Sequence, residues 1–262
     1  MSLSDVFAKT RGEGRAALVG YLPAGYPTVD GSKDLLSAVI DGGADLVEVG
    51  VPYSDPVMDG PTIQAAADAA LTAGFRLKNV FEVVEAVSAR GGSAVVMTYW
   101  NPVHRYGVDR FARDLAAAGG LGMITPDLTP DEGEDWMAAS QAHGLDRIFL
   151  VAPSSSEERI DRTVRASSGF VYATAVMGVT GARDTVGSGA EDLVRRTREH
   201  TDLPIGVGLG VRSGEQAAEV AAFADAVIVG SALVTAAARG ADAVRALSGE
   251  LAEGVRKAVS PA

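Results

Sequence analysis

Residues 46–50 read LVEVG, a strand-forming run with one charge set in its middle. A short, continuously apolar segment is what a parallel strand covered on both faces requires. Runs of the same kind return along the whole chain: AALVGYL (16–22), AVVMTYW (94–100), GMITPD (122–127), RIFLVAP (147–153), FVYATA (170–175), IGVGLG (205–210) and AVIVGS (226–231). With LVEVGV (46–51) they make eight candidate strands, and each gap between them has room for a helix.

The gaps carry helix signals. RLKNVFEVVEAVSARGG sets Val80, Val83, Val84 and Val87 on one stripe and ends in glycine. Thr129-Pro130-Asp131-Glu132 has the form of an N-cap, a proline at the first helical position and a capping-box glutamate. Ser155 with Glu158 and Ser213 with Gln216 have the same spacing. Eight strand–helix units argue for an α/β fold, a (β/α)8 or TIM barrel forming one domain over residues 1–262. The alternative, an open doubly wound sheet, usually has fewer strands at this length. The first twelve residues are expected to add a helix under the barrel. Short extra helices are expected near strand two (TIQAAADAA) and strand eight (SALVTAAARG).

Composition narrows the function. A net charge of −11 gives no basic face for nucleic acid. The chain has no cysteine, which excludes disulfides, thiolate metal ligation and cysteine nucleophiles. The apolar runs are only strand-length, so no membrane span is expected. MSLSDVFAKTRGEGR is too polar for a secretory leader, and a cytoplasmic location is expected.

In a strand, side chains alternate between faces. Val47, Val49 and Val51 then face the helices, while Leu46, Glu48 and Gly50 point into the barrel, with Gly50 leaving volume above the carboxylate. Burial there raises the pKa of Glu48 and suits it to proton exchange near neutrality. The plainer reading is an internal glutamate satisfied by backbone or water. The loop that follows, VPYSDPVMDGPTIQAA (51–66), is long for a strand–helix connection and holds Asp59 beside Gly60 and Pro61. Alone, Asp59 reads as a turn residue. Beside Glu48 it makes a pair of carboxylates that can divide acid and base roles.

Three late loops are glycine-rich at strand ends: VTGAR (179–183), GLGVRSG (208–214) and VGSAL (229–233). Their bare N–H groups, with the Ser231 hydroxyl, point to phosphate above strands seven and eight. The four lysines, Lys9, Lys33, Lys78 and Lys257, all lie outside the candidate strands, which closes the Schiff-base route of a barrel aldolase. His104, His143 and His200 are far apart in sequence, against a zinc site. What remains is carboxylate-driven proton transfer on a phosphorylated, largely apolar substrate. Tyr21, Tyr99, Tyr172 and Leu209 stand at strand tops to line its pocket.

These residues resemble a known family. LVEVGVPYSDPVMDGPTIQ, the later GVTGAR, GLGVRS and VGSALV in that order, TPDLTPDE after strand four and YLPAGYPT after strand one look like the tryptophan synthase alpha chain, from about residue 2 to 258. The resemblance implies a carbon–carbon lyase of tryptophan biosynthesis, which cleaves indole-3-glycerol phosphate to indole and glyceraldehyde 3-phosphate. By matching motif, Glu48 and Asp59 would be catalytic, the first shuttling protons and the second accepting the indole N–H. Tyr172 would support Glu48, and Thr180 would belong to a closing loop. Gly181, Gly210, Gly230 and Ser231 would hold the phosphate, and Tyr21, Tyr99 and Leu209 would flank the indole. The resemblance implies no metal and no cofactor in this chain; pyridoxal phosphate (PLP) would sit in a tryptophan synthase beta chain, the partner in an α2β2 tetramer. Residues 52–61, NPVHRYG (101–107) and the strand-six loop would form the contact. Two other readings are a stand-alone lyase that releases free indole and a non-catalytic phosphate-binding barrel acting as a partner subunit. A phosphosugar isomerase fits the Asp59 loop poorly.

Overall fold

The computed structural model describes residues 2–174 and 188–258. Its strands are β1 (Ala17–Pro23), β2 (Leu46–Gly50), β3 (Ala94–Met97), β4 (Gly122–Ile124), β5 (Asp146–Ile148), β6 (Leu150–Val151), β7 (Val171–Thr174), β8 (Ile205–Gly208) and β9 (Ala226–Val229). All pairings are parallel, in the order β5-β4-β3-β2-β1-β9-β8-β7-β6. The two ends of that order, β5 and β6, are consecutive in the chain and separated by Phe149 alone. They are the two halves of the expected fifth strand. The lower half pairs with β4 and the upper half with β7, so the sheet closes on itself as a TIM barrel.

Alternation along the strands sorts the side chains as expected. Val47 and Val49 join the layer between sheet and helices, together with the Val80, Val83, Val84 and Val87 stripe of helix Asn79–Ala89. Leu46, Val95, Ile124, Ile148, Phe170 and Ala226 fill the interior. The first helix, Leu3–Gly12, plugs the base with Leu3 and Phe7, and Phe7 lies 5.6 Å from Phe170 between ring centroids. Its N-cap is a complete capping box of Ser2 and Asp5.

Several local expectations need correction. β3, β4, β6, β8 and β9 stop two or more residues short of the expected runs, because the chain leaves the sheet to build the mouth. Pro130–Glu132 is a single 3-10 turn: the Thr129 hydroxyl meets the Glu132 carboxylate at 3.3 Å instead of capping the backbone, and the helix starts at Glu134. Ser156, not Ser155, caps helix Glu157–Ala166, because the Ser155 hydroxyl accepts from the Ala152 N–H. Ser213 does cap Gly214–Ala221, while Gln216 accepts from the Arg212 N–H. NPVHRYG is no loop, since residues Trp100–Tyr106 form a helix. The additional helix after β2 is Pro61–Thr72 and that after β9 is Ser231–Ala237.

At the base, Arg15 and Asp45 form a two-bond ion pair at 2.7 and 2.8 Å, with side chains only 6% and 7% exposed. Asp45 also accepts from the Leu18 N–H at 3.0 Å, tying β1 to the turn before β2. Removing one partner of such a pair strands a buried charge. Arg15→Ala is therefore expected to destabilise the chain by about 3–5 kcal/mol in urea unfolding. A loss below about 1 kcal/mol would make the pair an ordinary surface contact.

Candidate active site

Glu48 is 1% exposed and points inward from the middle of β2. It lines a cavity of about 840 Å³, counted out to its open mouth, at the C-terminal end of the barrel. Tyr21, Asp59, Tyr172, Leu209, Gly210, Gly230 and Ser231 line the same cavity. Seven of the expected site residues thus gather around Glu48. Thr180 and Gly181 lie outside the described residues. Tyr99 is buried but does not line the cavity: its hydroxyl turns to the 52–60 loop and accepts from the Met58 N–H at 3.0 Å.

Two inward glycines, Gly50 and Gly208, make room for tyrosines. A Cβ on Gly50 would strike the Tyr21 ring, and one on Gly208 would strike the Tyr172 hydroxyl. The space that each glycine clears is taken by a tyrosine, so the rings form fixed cavity walls. Gly210 has φ +73, a left-handed conformation that glycine adopts without strain. Met58, Ile63, Met97, Leu150, Thr174, Gly208 and Ile228 complete the lining and were not anticipated. Cross-strand register could have found some of them: Met97 lies beside Gly50, Thr174 beside Gly208, and Ile228 beside Gly208.

The lining is largely apolar, with its ionisable groups at one side. Burial, with the nearby Asp59 charge second, pushes the Glu48 carboxyl up to about 8. Its Oε2 is buried without a hydrogen-bond partner. A protonated acid aimed into the cavity accounts for both facts. Burial also lifts Asp59 to about 6, offset in part by the nearby Tyr99 hydroxyl. At neutral pH one carboxyl keeps its proton and the other is an anion, a division of acid and acceptor within one pocket. Burial drives the Tyr21 and Tyr172 phenols well above their ordinary value, so both stay neutral.

The lysines and histidines stay away from this cavity. His143 pairs with Asp109 and His200 with Glu157 on the outside. Among the described residues no group of three or more His, Asp or Glu gathers as metal ligands would.

The family model of the tryptophan synthase alpha chain matches residues 7–259. The chain belongs to the tryptophan synthase alpha chain family. The alpha chain of Nocardia farcinica is 66% identical over 256 residues, covering 98% of this chain and 96% of the relative. A solved structure of Mycobacterium tuberculosis tryptophan synthase superposes with a TM-score of 0.94 at 62% identity, over 97% of this chain and 98% of that one. The alpha subunit from Legionella pneumophila, only 29% identical, still gives 0.87 over 97% and 98%. Barrel, mouth and alpha-chain motifs therefore fall together in one molecule.

Proposed function

We propose that this chain is the alpha subunit of a tryptophan synthase and cleaves indole-3-glycerol phosphate to indole and glyceraldehyde 3-phosphate. The observation that carries the reading is the pair Glu48 and Asp59, two carboxyls in one apolar cavity with different proton affinities. Glu48, protonated at neutral pH, gives its proton to the indole carbon that bears the glycerol phosphate chain. The ring becomes an indolenine cation, whose N–H is accepted and whose charge is balanced by the Asp59 carboxylate. Glu48, now an anion, takes the proton of the adjoining hydroxyl. An aldehyde forms as the carbon–carbon bond breaks, and the bonding electrons return to the ring. Glu48 ends the cycle protonated, as it began.

The ring itself acts as electron sink, so the sequence of steps needs no lysine. Tyr21, Tyr172 and Leu209 offer apolar walls for the indole. Backbone N–H groups of Gly210 and Gly230, with the Ser231 backbone and hydroxyl, offer donors for the phosphate, joined on this reading by Gly181. Thr180 is taken as part of the loop that closes over Asp59. PLP belongs to the beta chain on this reading and takes no part in these steps. Val57, in the loop after β2, is a large hydrophobic residue that stays 69% exposed, which supports that loop as part of the beta-chain contact. We take residues 1–262 as one barrel domain working in the cytoplasm. Among the described residues no helix is long and apolar enough to cross a membrane.

The test is an assay of the purified chain with indole-3-glycerol phosphate, alone and with a beta chain, across pH. Asp59 must be deprotonated and Glu48 protonated. The profile of kcat/KM is therefore expected to be bell-shaped, falling below about 6 and above about 8. Activity that keeps rising past pH 9 would remove Glu48 as the acid, and no cleavage with either preparation would sink the reading. Full activity without a beta chain would favour a stand-alone lyase.

A further inference from the structure

Besides its two carboxyls, the cavity is lined among the described residues by four residues with side-chain hydroxyls, Tyr21, Tyr172, Thr174 and Ser231. Three of these have another task or another place. Thr174 donates to the Val151 carbonyl at 3.1 Å. The Tyr172 hydroxyl lies over Gly208 of β8, on the side away from β2. Ser231 opens helix Ser231–Ala237, at the end of the cavity assigned to phosphate. Tyr21 is left, and among the described residues no group receives its proton.

The place of the Tyr21 side chain is well defined. It stands on β1, between β9 and β2 in the sheet, with its Cα level with that of Glu48. Two glycines locate the ring. A Cβ on Gly230, just after β9, would lie 3.7 Å from the Tyr21 Cβ and 3.4 Å from its Cδ1. A Cβ on Gly50, at the end of β2, would strike its Cε2 and its hydroxyl. The side chain therefore runs from the phosphate end of the cavity to a point above Glu48, because Gly50 is the next inward position on that strand. The loop that carries Asp59 begins at the following residue. Burial keeps the phenol protonated, so it has one proton to donate there.

With the indole at Glu48 and Asp59 and the phosphate at Gly230 and Ser231, the hydroxyl-bearing carbons of the substrate pass along this ring. We propose that Tyr21 is a further catalytic residue: its hydroxyl donates a hydrogen bond to the substrate oxygen that becomes the aldehyde. The proposal rests on the lyase reading and deepens it. In the cleavage step the O–H bond of that oxygen breaks and its proton goes to Glu48. The electrons left behind form the carbonyl, and those of the carbon–carbon bond return to the indole ring. Negative charge gathers on the oxygen as its proton leaves. A donor already aimed at it stabilises that charge without reorganisation, and Tyr21 keeps its own proton throughout.

The test uses the full chain with its beta-chain partner. Tyr21→Phe keeps the ring against Gly50 and Gly230 and removes the hydroxyl alone. For indole-3-glycerol phosphate, kcat is expected to fall by about 10–100-fold with KM within about 3-fold. Two readouts separate the substrate oxygen from other takers of the proton. Indole alone, in heavy water, has a C3 hydrogen for Glu48 to exchange but no side-chain oxygen. The part of that exchange which Glu48→Gln abolishes should run in Tyr21→Phe at the parent's rate. Both limbs of the kcat/KM profile against pH should also stay in place. Slowed exchange or a displaced limb would give the hydroxyl to Glu48 or Asp59 and overturn the proposal, and unchanged cleavage would do the same. Should the phenylalanine form not fold, a fluorinated tyrosine at position 21, a stronger donor, is expected to raise kcat, and an unchanged or lowered kcat counts against the proposal. A parent that neither cleaves nor exchanges sinks the lyase reading itself. A parent that cleaves no faster than Tyr21→Phe sinks only the role of Tyr21.

Discussion

Glu48→Gln is expected to lower the rate of indole-3-glycerol phosphate cleavage by ~10³-fold, the loss of a positioned proton donor. The same substitution should make the protein more stable in alkali. The folded-state pKa of Glu48 is raised from 4.5 to about 8, so between those values the folded chain holds a proton that the unfolded chain releases. Stability is therefore lost as pH rises through that window, and above it the full cost is present. Glutamine never ionises and escapes that cost, by roughly 5 kcal/mol at most. The melting temperature of the variant should match the parent near pH 4.5 and exceed it at pH 9. A variant less stable than the parent at pH 9 would mean that Glu48 is a structural carboxylate, and the assigned acid would have to be sought elsewhere.

The second large effect is expected at Asp59. Asp59→Asn keeps an oxygen that can accept the indole N–H but removes the charge that balances the indolenine cation. A loss of ~10²–10³-fold in kcat is expected, the scale for deleting one electrostatic stabiliser of a transition state. Because Asp59 sits in a loop over the cavity, the melting temperature should change little. A loss of rate that tracked a large loss of melting temperature would point to a loop that had collapsed.

Both groups were legible in the sequence, for unequal reasons. Glu48 lies mid-strand, where strict alternation decides the face, and Leu46 and Val47 on its N-terminal side fall as alternation requires. Asp59 lies in a loop, where no periodicity applies, and only its motif and its nearness to Glu48 marked it. Tyr99 shows where the rule stops. Read as a strand-top residue it belongs to the pocket, but the strand ends at Met97, two residues earlier, and the turn brings its hydroxyl to the loop. The lining residues Met97, Leu150 and Ile228 depend on which residues of neighbouring strands stand level, a relation that a single chain read end to end does not contain. The break at Phe149 is of the same kind, since the two halves of the fifth strand differ only in which neighbour they bond.

The helix under the barrel has a consequence for traffic. With Leu3 and Phe7 seated among Ala17, Val19, Phe170 and Ala226, the cylinder is stoppered at its lower end. Among the described residues, then, what reaches Glu48 and what leaves it pass the upper end of the cylinder. Whatever settles over that end governs admission and departure together, and a subunit seated there would be first to meet the departing indole.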